Sequence, residues 1–284
     1  MTGKDVTSRI DAHQHFWNPA RGDYDWMPMD NPVLARPYAP ADLLPQLRAH
    51  GIDGTVLVQA AATVNESEYM LGIADATPEV LGVVGWVDFE KPGDRAVLER
   101  LARHPKFKSV RPMIQDIADD DWMLRRDVQW GFEAVAELGL GFDALGFPRH
   151  LKNFLTILKR YPELRVVIDH CMKPQIRDPA PEAFRFWAEG MARIAGETGA
   201  FCKFSALVTE ANPDWVPADL APYAAHVFEV FGPERIMWGS DWPVCRLRCE
   251  YGRWREVAGE LTAGLSEAGR ARVFGGTAAA FYRL

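Results

Sequence analysis

Ser8-Arg-Ile-Asp-Ala-His-Gln-His-Phe16 near one end of the chain and Arg235-Ile-Met-Trp-Gly-Ser-Asp241 near the other decide how this sequence is read. Each is a short apolar run that delivers polar side chains at its C-terminal end. Residues two apart in a strand face the same way, about 6.5 Å apart along the chain. His13 and His15 are therefore expected to converge on one point, with Asp11 beneath them on the same face. The second run ends on Asp241, ahead of Trp242-Pro243. The plainer alternatives are two histidines satisfied by neighbouring carboxylates at the start of a loop, and an aspartate that caps a turn.

Working inward from these two ends, six more runs of the same kind appear: residues 54–60, 80–88, 107–115, 139–147, 164–170 and 200–208. They are short, apolar and rich in β-branched residues, which predicts strands. The segments between them space their apolar residues as helices do, for example 40–51, 150–162, 181–199 and 220–232. Several stop at a glycine or proline, as at Gly51, Pro162, Gly199 and Gly232. Strand–helix repetition predicts a parallel sheet covered by helices. Eight such units predict an α/β protein of the (β/α)8 TIM-barrel type, with an extra C-terminal helix from about Ser266 to Tyr282. No linker or low-complexity stretch divides the chain, so residues 1–284 are expected to form one domain. No Gly-rich GxGxxG loop follows the first strand, which weighs against a dinucleotide-binding fold.

Bulk properties narrow the function classes. The chain has 284 residues, a size single barrels reach. With 48% hydrophobic and 25% charged residues it has an ordinary globular composition. A formal net charge of −7 and the lack of any basic cluster argue against nucleic acid as a partner. The first ten residues lack the apolar run of a secretory leader, and no stretch approaches the roughly 18 apolar residues of a membrane span. Cys171, Cys202, Cys245 and Cys249 form no CxxC pair, consistent with reduced thiols in a cytoplasmic protein. Assembly as a homo-oligomer stays open.

Active sites of such barrels lie at the C-terminal strand ends. Those ends carry His13 and His15, Gln59, Asp88, Arg111 with Gln115, Arg149 with His150, His170 with Lys173, Thr209 with Glu210, and Asp241. Buried polar groups in this number are costly unless they pair with one another, a metal or a ligand. A carboxylate at Asp241 can take a proton from water and return it to a leaving group. Arg111 can grip a carbonyl or carboxylate oxygen through its planar fork, or form an internal ion pair with Asp143 or another acidic group. Lys173 either faces the substrate or reaches solvent. Residues 18–39 form a long segment without periodicity, the kind often found at functional sites. Its Tyr24 and Trp26, with Trp17 before it, either cover the pocket or anchor the loop.

These motifs together, Asp11–Trp17 (DAHQHFW), Gly22–Met27 (GDYDWM), Val110–Asp116 (VRPMIQD), Val167–Pro174 (VIDHCMKP), Cys202–Ala211 (CKFSALVTEA) and Met237–Val244 (MWGSDWPV), resemble the amidohydrolase-related lactonases. That group includes L-fuconolactone and L-rhamnonolactone hydrolases and, more remotely, pyrone-dicarboxylate lactonases. The resemblance runs from Asp11 to Gly275–Tyr282. It implies a hydrolase of carbohydrate metabolism that opens a sugar-acid 1,4- or 1,5-lactone, with Asp241, His170 and Arg111 as catalytic residues. It also implies that His13, His15, His170 and Asp241 can hold a metal; relatives differ in whether catalysis needs one. Arg111 stands where a bridging ligand would be needed and the fifth strand ends without histidine, so at most one divalent ion is expected. The N/O donor set suits zinc. Substrate contacts are expected from Tyr24, Trp26, Gln59, Asp88, Gln115 and Lys173. The sequence departs from L-fuconolactonase-like members at Pro112, where they tend to have histidine. A metal-dependent decarboxylase on the same barrel is the alternative.

Overall fold

Eight short strands, β1 (Ile10–Gln14), β2 (Gly54–Val58), β3 (Val80–Gly85), β4 (Phe107–Val110), β5 (Gly141–Ala144), β6 (Arg165–Ile168), β7 (Phe201–Phe204) and β8 (Ile236–Trp238), pair in parallel, each with the next in chain order. This arrangement comes from a computed structural model that describes residues 8–284. The ring closes where the two deciding motifs meet. The Asp241 N–H donates to the His13 carbonyl (2.8 Å) and the His15 N–H to the Trp242 carbonyl (2.7 Å). The protein is thus a (β/α)8 barrel. The reading of the N-terminus, as far as Thr7, lies outside the described residues.

The strands are apolar because both of their faces are covered. Inside the ring, Ile10, Ala12, Val56, Val58, Val84, Val167 and Met237 form one cluster with Ala278, Phe281 and Tyr282. Phe281 packs on Phe201, and its carbonyl accepts from Arg165, so it shuts the end of the barrel where the strands begin. Outside lie α1 (Pro40–Ala49), α2 (Val64–Ala76), α3 (Arg95–Ala102), α4 (Gln129–Glu137), α5 (Leu151–Arg160), α6 (Pro181–Glu197), α7 (Leu207–Glu210), α8 (Pro217–Phe231), α9 (Tyr251–Leu261), α10 (Glu267–Ala271) and α11 (Thr277–Tyr282). Their inner faces bury Leu98, Phe132, Phe154, Trp187, Val227 and Trp254. Each large side chain removed from water contributes on the order of 2–3 kcal/mol against chain entropy. Among the described residues no helix is long and apolar enough to cross a membrane.

Two expectations differ from the structure. The C-terminal helix is broken: a wide turn over Arg272–Gly276 separates α10 from α11. The reason is contact with the entry to β1, since a Cβ on Gly275 would lie 1.8 Å from the Ser8 carbonyl oxygen. The segment 18–39 is not structureless either. Trp17 and Tyr38 pair backbone to backbone at its base (3.1 and 2.8 Å). The Trp17 indole N–H then reaches the Leu34 and Arg36 carbonyls (3.1 and 3.0 Å). The result is a stapled Ω-type loop that packs on its own side chains.

Candidate active site

A change of register in β1, between Asp11 and Gln14, sets the site geometry. Simple alternation would place Asp11 below the histidines. Instead, the Asp11 carboxylate accepts from the Ser240 and His13 N–H groups (2.8 and 3.2 Å), beside Tyr251 of α9. It braces the β1–β8 seam, and burial pushes its pKa up to about 6. Gly239 of that seam has no Cβ because His13 fills the space, at 2.7 Å from where one would sit.

Above the seam the imidazoles converge. His13 Nε2 and His15 Nε2 are 3.1 Å apart. Asp241 Oδ1 lies 3.3 Å from His15 Nε2, 3.6 Å from His13 Nε2 and 3.9 Å from His170 Nε2. All four residues are buried. Backbone strain is concentrated here: His170, Cys171, Met172 and Lys173 all have positive φ (55°, 49°, 58°, 48°), and so do Ala206 (56°) and Asp241 (54°). Non-glycine residues in this region cost on the order of 1–3 kcal/mol each. The surroundings hold the turn: Trp187 donates to the Cys171 carbonyl (2.7 Å), and His170 Nδ1 bonds Ser205 Oγ (2.9 Å).

Electrostatics divide the roles. Burial, together with nearby cations, lowers His170 to about 3 despite Asp241 and Asp169, so it is a neutral imidazole near pH 7. Burial and the neighbouring Lys203 hold His13 well below 6.5. Burial alone would raise Asp241, but His170 and His15 outweigh it and keep the carboxyl below its usual value. The site therefore presents an ionised carboxylate beside two neutral imidazoles, His13 and His170.

Arg111 lies across the floor. Its Nη1 donates to Asp169 Oδ2 (3.1 Å) and its Nη2 to the Gln59 side chain (3.1 Å) and main-chain carbonyl. Gln59 donates back to the Arg111 carbonyl (2.8 Å). The internal ion pair weighed for Arg111 is formed, with Asp169 rather than Asp143, which pairs with Lys203. A cavity of about 350 Å³ opens above, and Trp26, Arg111, Gln115, His170, Lys173 and Asp241 line it. Three expected substrate contacts lie elsewhere. Gln59 is buried beneath Arg111 and serves to hold it. The Tyr24 hydroxyl donates to Glu66 (2.9 Å) in the packing of the loop. Asp88 bonds Lys91 (3.0 Å) and the Glu90 N–H in a neighbouring cavity.

Lys203 and Asp169, fully buried beneath His13 together with Asp143, escaped the sequence reading. The available signal was a lysine inside the apolar run Phe201–Phe204, next to strands that themselves carry aspartates.

The donor set suits a cation. Ligands about 2.0–2.2 Å from a tetrahedral ion stand about 3.3–3.6 Å apart, and His13, His15 and Asp241 show 3.1, 3.3 and 3.6 Å. His15 Nδ1 donates to the Val58 carbonyl (2.8 Å), which leaves its Nε2 lone pair available. His170, expected as a fourth ligand, instead groups with His13 and Asp169.

Imidazoles and a carboxylate aimed at one point above an α/β barrel define the class of barrel proteins built for hydrolytic and related carbonyl chemistry. Within that class the chain belongs to the amidohydrolase family, whose family model matches residues 10–284. It is 42% identical to an L-fucono-1,5-lactonase of Burkholderia ambifaria, over 98% of this chain and 97% of the relative. An L-fucono-1,5-lactonase of Burkholderia multivorans is 34% identical, over 97% and 96%. A crystal structure of an amidohydrolase from Burkholderia multivorans with bound zinc superposes with a TM-score of 0.91 at 33% identity, covering 98% of this chain and 99% of that one.

Proposed function

We propose that the protein hydrolyses a sugar-acid lactone, opening a 1,5- or 1,4-lactone to the hydroxy acid. The observation that carries this reading is the ionised, buried Asp241 carboxylate in reach of three histidines, two of them (His13 and His170) held neutral, at the floor of a concave, mostly uncharged cavity. The names of the relatives supply the substrate class.

Asp241 accepts a proton from water, whose oxygen bonds to the ring carbonyl carbon. The negative charge that develops on the carbonyl oxygen faces the Arg111 guanidinium and the His170 ring, whose Nε2 is the nitrogen left over from the Ser205 bond. As the tetrahedral species collapses, the bond to the ring oxygen breaks. Asp241 then returns its proton to that departing alkoxide, so the product keeps every carbon. Trp26 offers an aromatic face to the ring, while Gln115 and Lys173 supply polar contacts. A divalent ion held by His13, His15 and Asp241, zinc by analogy with the related crystal structure, would add Lewis-acid polarisation of the carbonyl. We place the whole of residues 1–284 in one catalytic domain of carbohydrate metabolism. The four unpaired cysteines fit a reducing, cytoplasmic setting.

A panel of neutral aldonolactones, read with a pH indicator with and without chelator, tests the proposal. Stoichiometric acid with carbon retained is expected for at least one six-carbon sugar lactone. Carbon dioxide release, or inertness toward every lactone, would overturn it.

A further inference from the structure

Glu66 is a fully buried carboxylate with no part in the proposed reaction. It stands in the first turn of α2, where Thr63-Val-Asn-Glu66 has the spacing of a capping box. The threonine hydroxyl does accept from the glutamate N–H (3.0 Å). In a full box the glutamate side chain would turn back to the Thr63 N–H, but here it goes elsewhere. Its Oε1 accepts from the Ala60 N–H (3.3 Å) and its Oε2 from the Tyr24 hydroxyl (2.9 Å), with Arg21 Nη2 3.7 Å away. A carboxylate out of water is costly unless it is paired, and these partners lie in the 18–39 loop or directly beneath it.

Two routes lead from this carboxylate to Trp26. Along one, the Ala60 main chain is held on both sides: its N–H donates to Glu66, and its carbonyl accepts from the Trp26 indole N–H (2.6 Å). Along the other, Tyr24 lies two residues from Trp26 in the same loop. Trp26 depends on such ties. It is 39% exposed and lines both the central cavity and a larger one of about 670 Å³ beside it. It meets Trp17 edge-on, with ring centroids 5.7 Å apart. An indole so open is fixed less by packing than by the hydrogen bond at its nitrogen.

We infer that Glu66 is a positioning residue for the substrate: through Ala60 and Tyr24 it holds the Trp26 indole at the wall of the central cavity, where the lactone ring stacks. An indole face touches the ring in the ground state and in the transition state alike, so its loss raises KM and spares kcat. A second path is open from Ala60 to its neighbour Gln59, which holds Arg111, and an effect passed that way would lower kcat instead. The inference rests on the reading of Trp26 as a substrate contact. The indole nevertheless reports its own placement with no substrate present, so a failed lactone panel and a Trp26 indifferent to Glu66 are separate results.

The experiment is a double-mutant cycle on the full chain with Glu66→Leu, Trp26→Ala and the pair. The Trp26 signal is the near-UV circular dichroism of each protein minus that of its Trp26→Ala counterpart. Glu66→Leu is expected to lose at least about half of that signal and, on the best lactone of the panel, to raise KM at least about 5-fold with kcat within about 2-fold of wild type. In the Trp26→Ala background the same substitution should change KM by less than about 2-fold. Glu66→Gln keeps an oxygen for the Ala60 N–H and an amide that can donate to the Tyr24 hydroxyl, so it should restore both readouts. An unchanged Trp26 signal in Glu66→Leu, equal KM effects in the two backgrounds, a loss carried by kcat, or no rescue by Glu66→Gln overturns the inference. If no lactone is turned over, the dichroism alone decides it. If Glu66→Leu does not fold, Tyr24→Phe removes one tie and leaves the carboxylate in place. A Trp26 signal equal to wild type in that variant then overturns the inference.

Discussion

One oxygen, Asp241 Oδ1, has His15, His13 and His170 nitrogens at 3.3, 3.6 and 3.9 Å. Among the described residues no second carboxylate lies within reach of all three, so proton transfer at this point depends on Asp241. Asp241→Asn is isosteric and keeps the backbone bonds to His13 and Cys245, so the fold should persist, but an amide cannot relay a proton. Turnover should fall at least about 100-fold, measured as acid release by a variant whose circular dichroism matches wild type. Arg111 makes a different argument. Its planar fork spans Asp169 and Gln59 in two directions, which a point charge on a flexible stem cannot do. Arg111→Lys should lower kcat/KM at least about 10-fold although the charge is kept. Wild-type kinetics in that variant would show that charge alone suffices.

Strands and helices were legible in the sequence because covering both sheet faces forces unbroken apolar runs, as in Val80–Gly85 and Arg165–Ile168. The strand ends were legible too, since histidine and aspartate at the close of such runs have few uses. Less visible was anything that departs from simple periodicity. The register change in β1 turned Asp11 away from the histidines, and the contact at Gly275 broke the last helix, although Gly275-Gly276 marks the place. Tyr24 and Asp88 were misjudged because a strand-end or loop position does not say which of two adjacent cavities a side chain meets. Lys203 was missed because a lysine in a strand reads as solvated unless three partners from other strands are known. The end of β6 carries its own prediction. His170 has a folded pKa of about 3 against an ordinary 6.5, so between those values the unfolded chain binds a proton that the folded one refuses. Its contribution to stability is therefore complete above about pH 6.5 and is lost as pH falls toward 3. Asp11 and Glu66, raised to about 6 and about 7, act with the opposite sign: their contribution is present at low pH and fades as pH rises through those values. Comparing His170→Gln with wild type cancels these common terms. In chelator-treated protein, wild type should lose about 2 kcal/mol more than the variant between pH 7 and pH 5, seen as a steeper fall in Tm. Parallel Tm curves would show that His170 is not held neutral by the fold.

On the scale of the whole molecule, charge decides both what the site holds and what it turns over. The chain carries −7 overall, yet the cations near the cavity, Lys173 apart, are already committed. Arg111 is bound to Asp169 and Gln59, Lys203 to two buried aspartates, and Arg246 to Glu250 and Tyr38. With Asp169 shared between Lys203 and Arg111, it is poorly placed to serve a second ion, so elemental analysis should find at most one equivalent of metal per chain. The same accounting applies to the substrate. Of the cationic side chains that line the central cavity, Lys173 is the one without an ion-pair partner among the described residues, and Asp116 adds a negative charge to the same wall. A lactone bearing two carboxylates would bring charges that a single lysine cannot neutralise, into a cavity already holding the Asp241 carboxylate. Exposed charges would be screened by salt, but in a concave site with low-dielectric walls the repulsion persists. A neutral polyhydroxylated lactone meets no such penalty; it can use Gln115 and Lys173 for hydroxyl contacts and the Trp26 face for its ring. The expected outcome is a kcat/KM at least about 100-fold higher for the best neutral sugar lactone than for any dicarboxylated lactone, an energy gap of about 3 kcal/mol. The gap should narrow in Asp116→Asn, which removes charge from the wall without touching the reacting groups. A dicarboxylated lactone that outperforms every neutral one would mean that Lys173 and Arg111 are there to bind substrate carboxylates, and that Asp169 yields the guanidinium when substrate arrives.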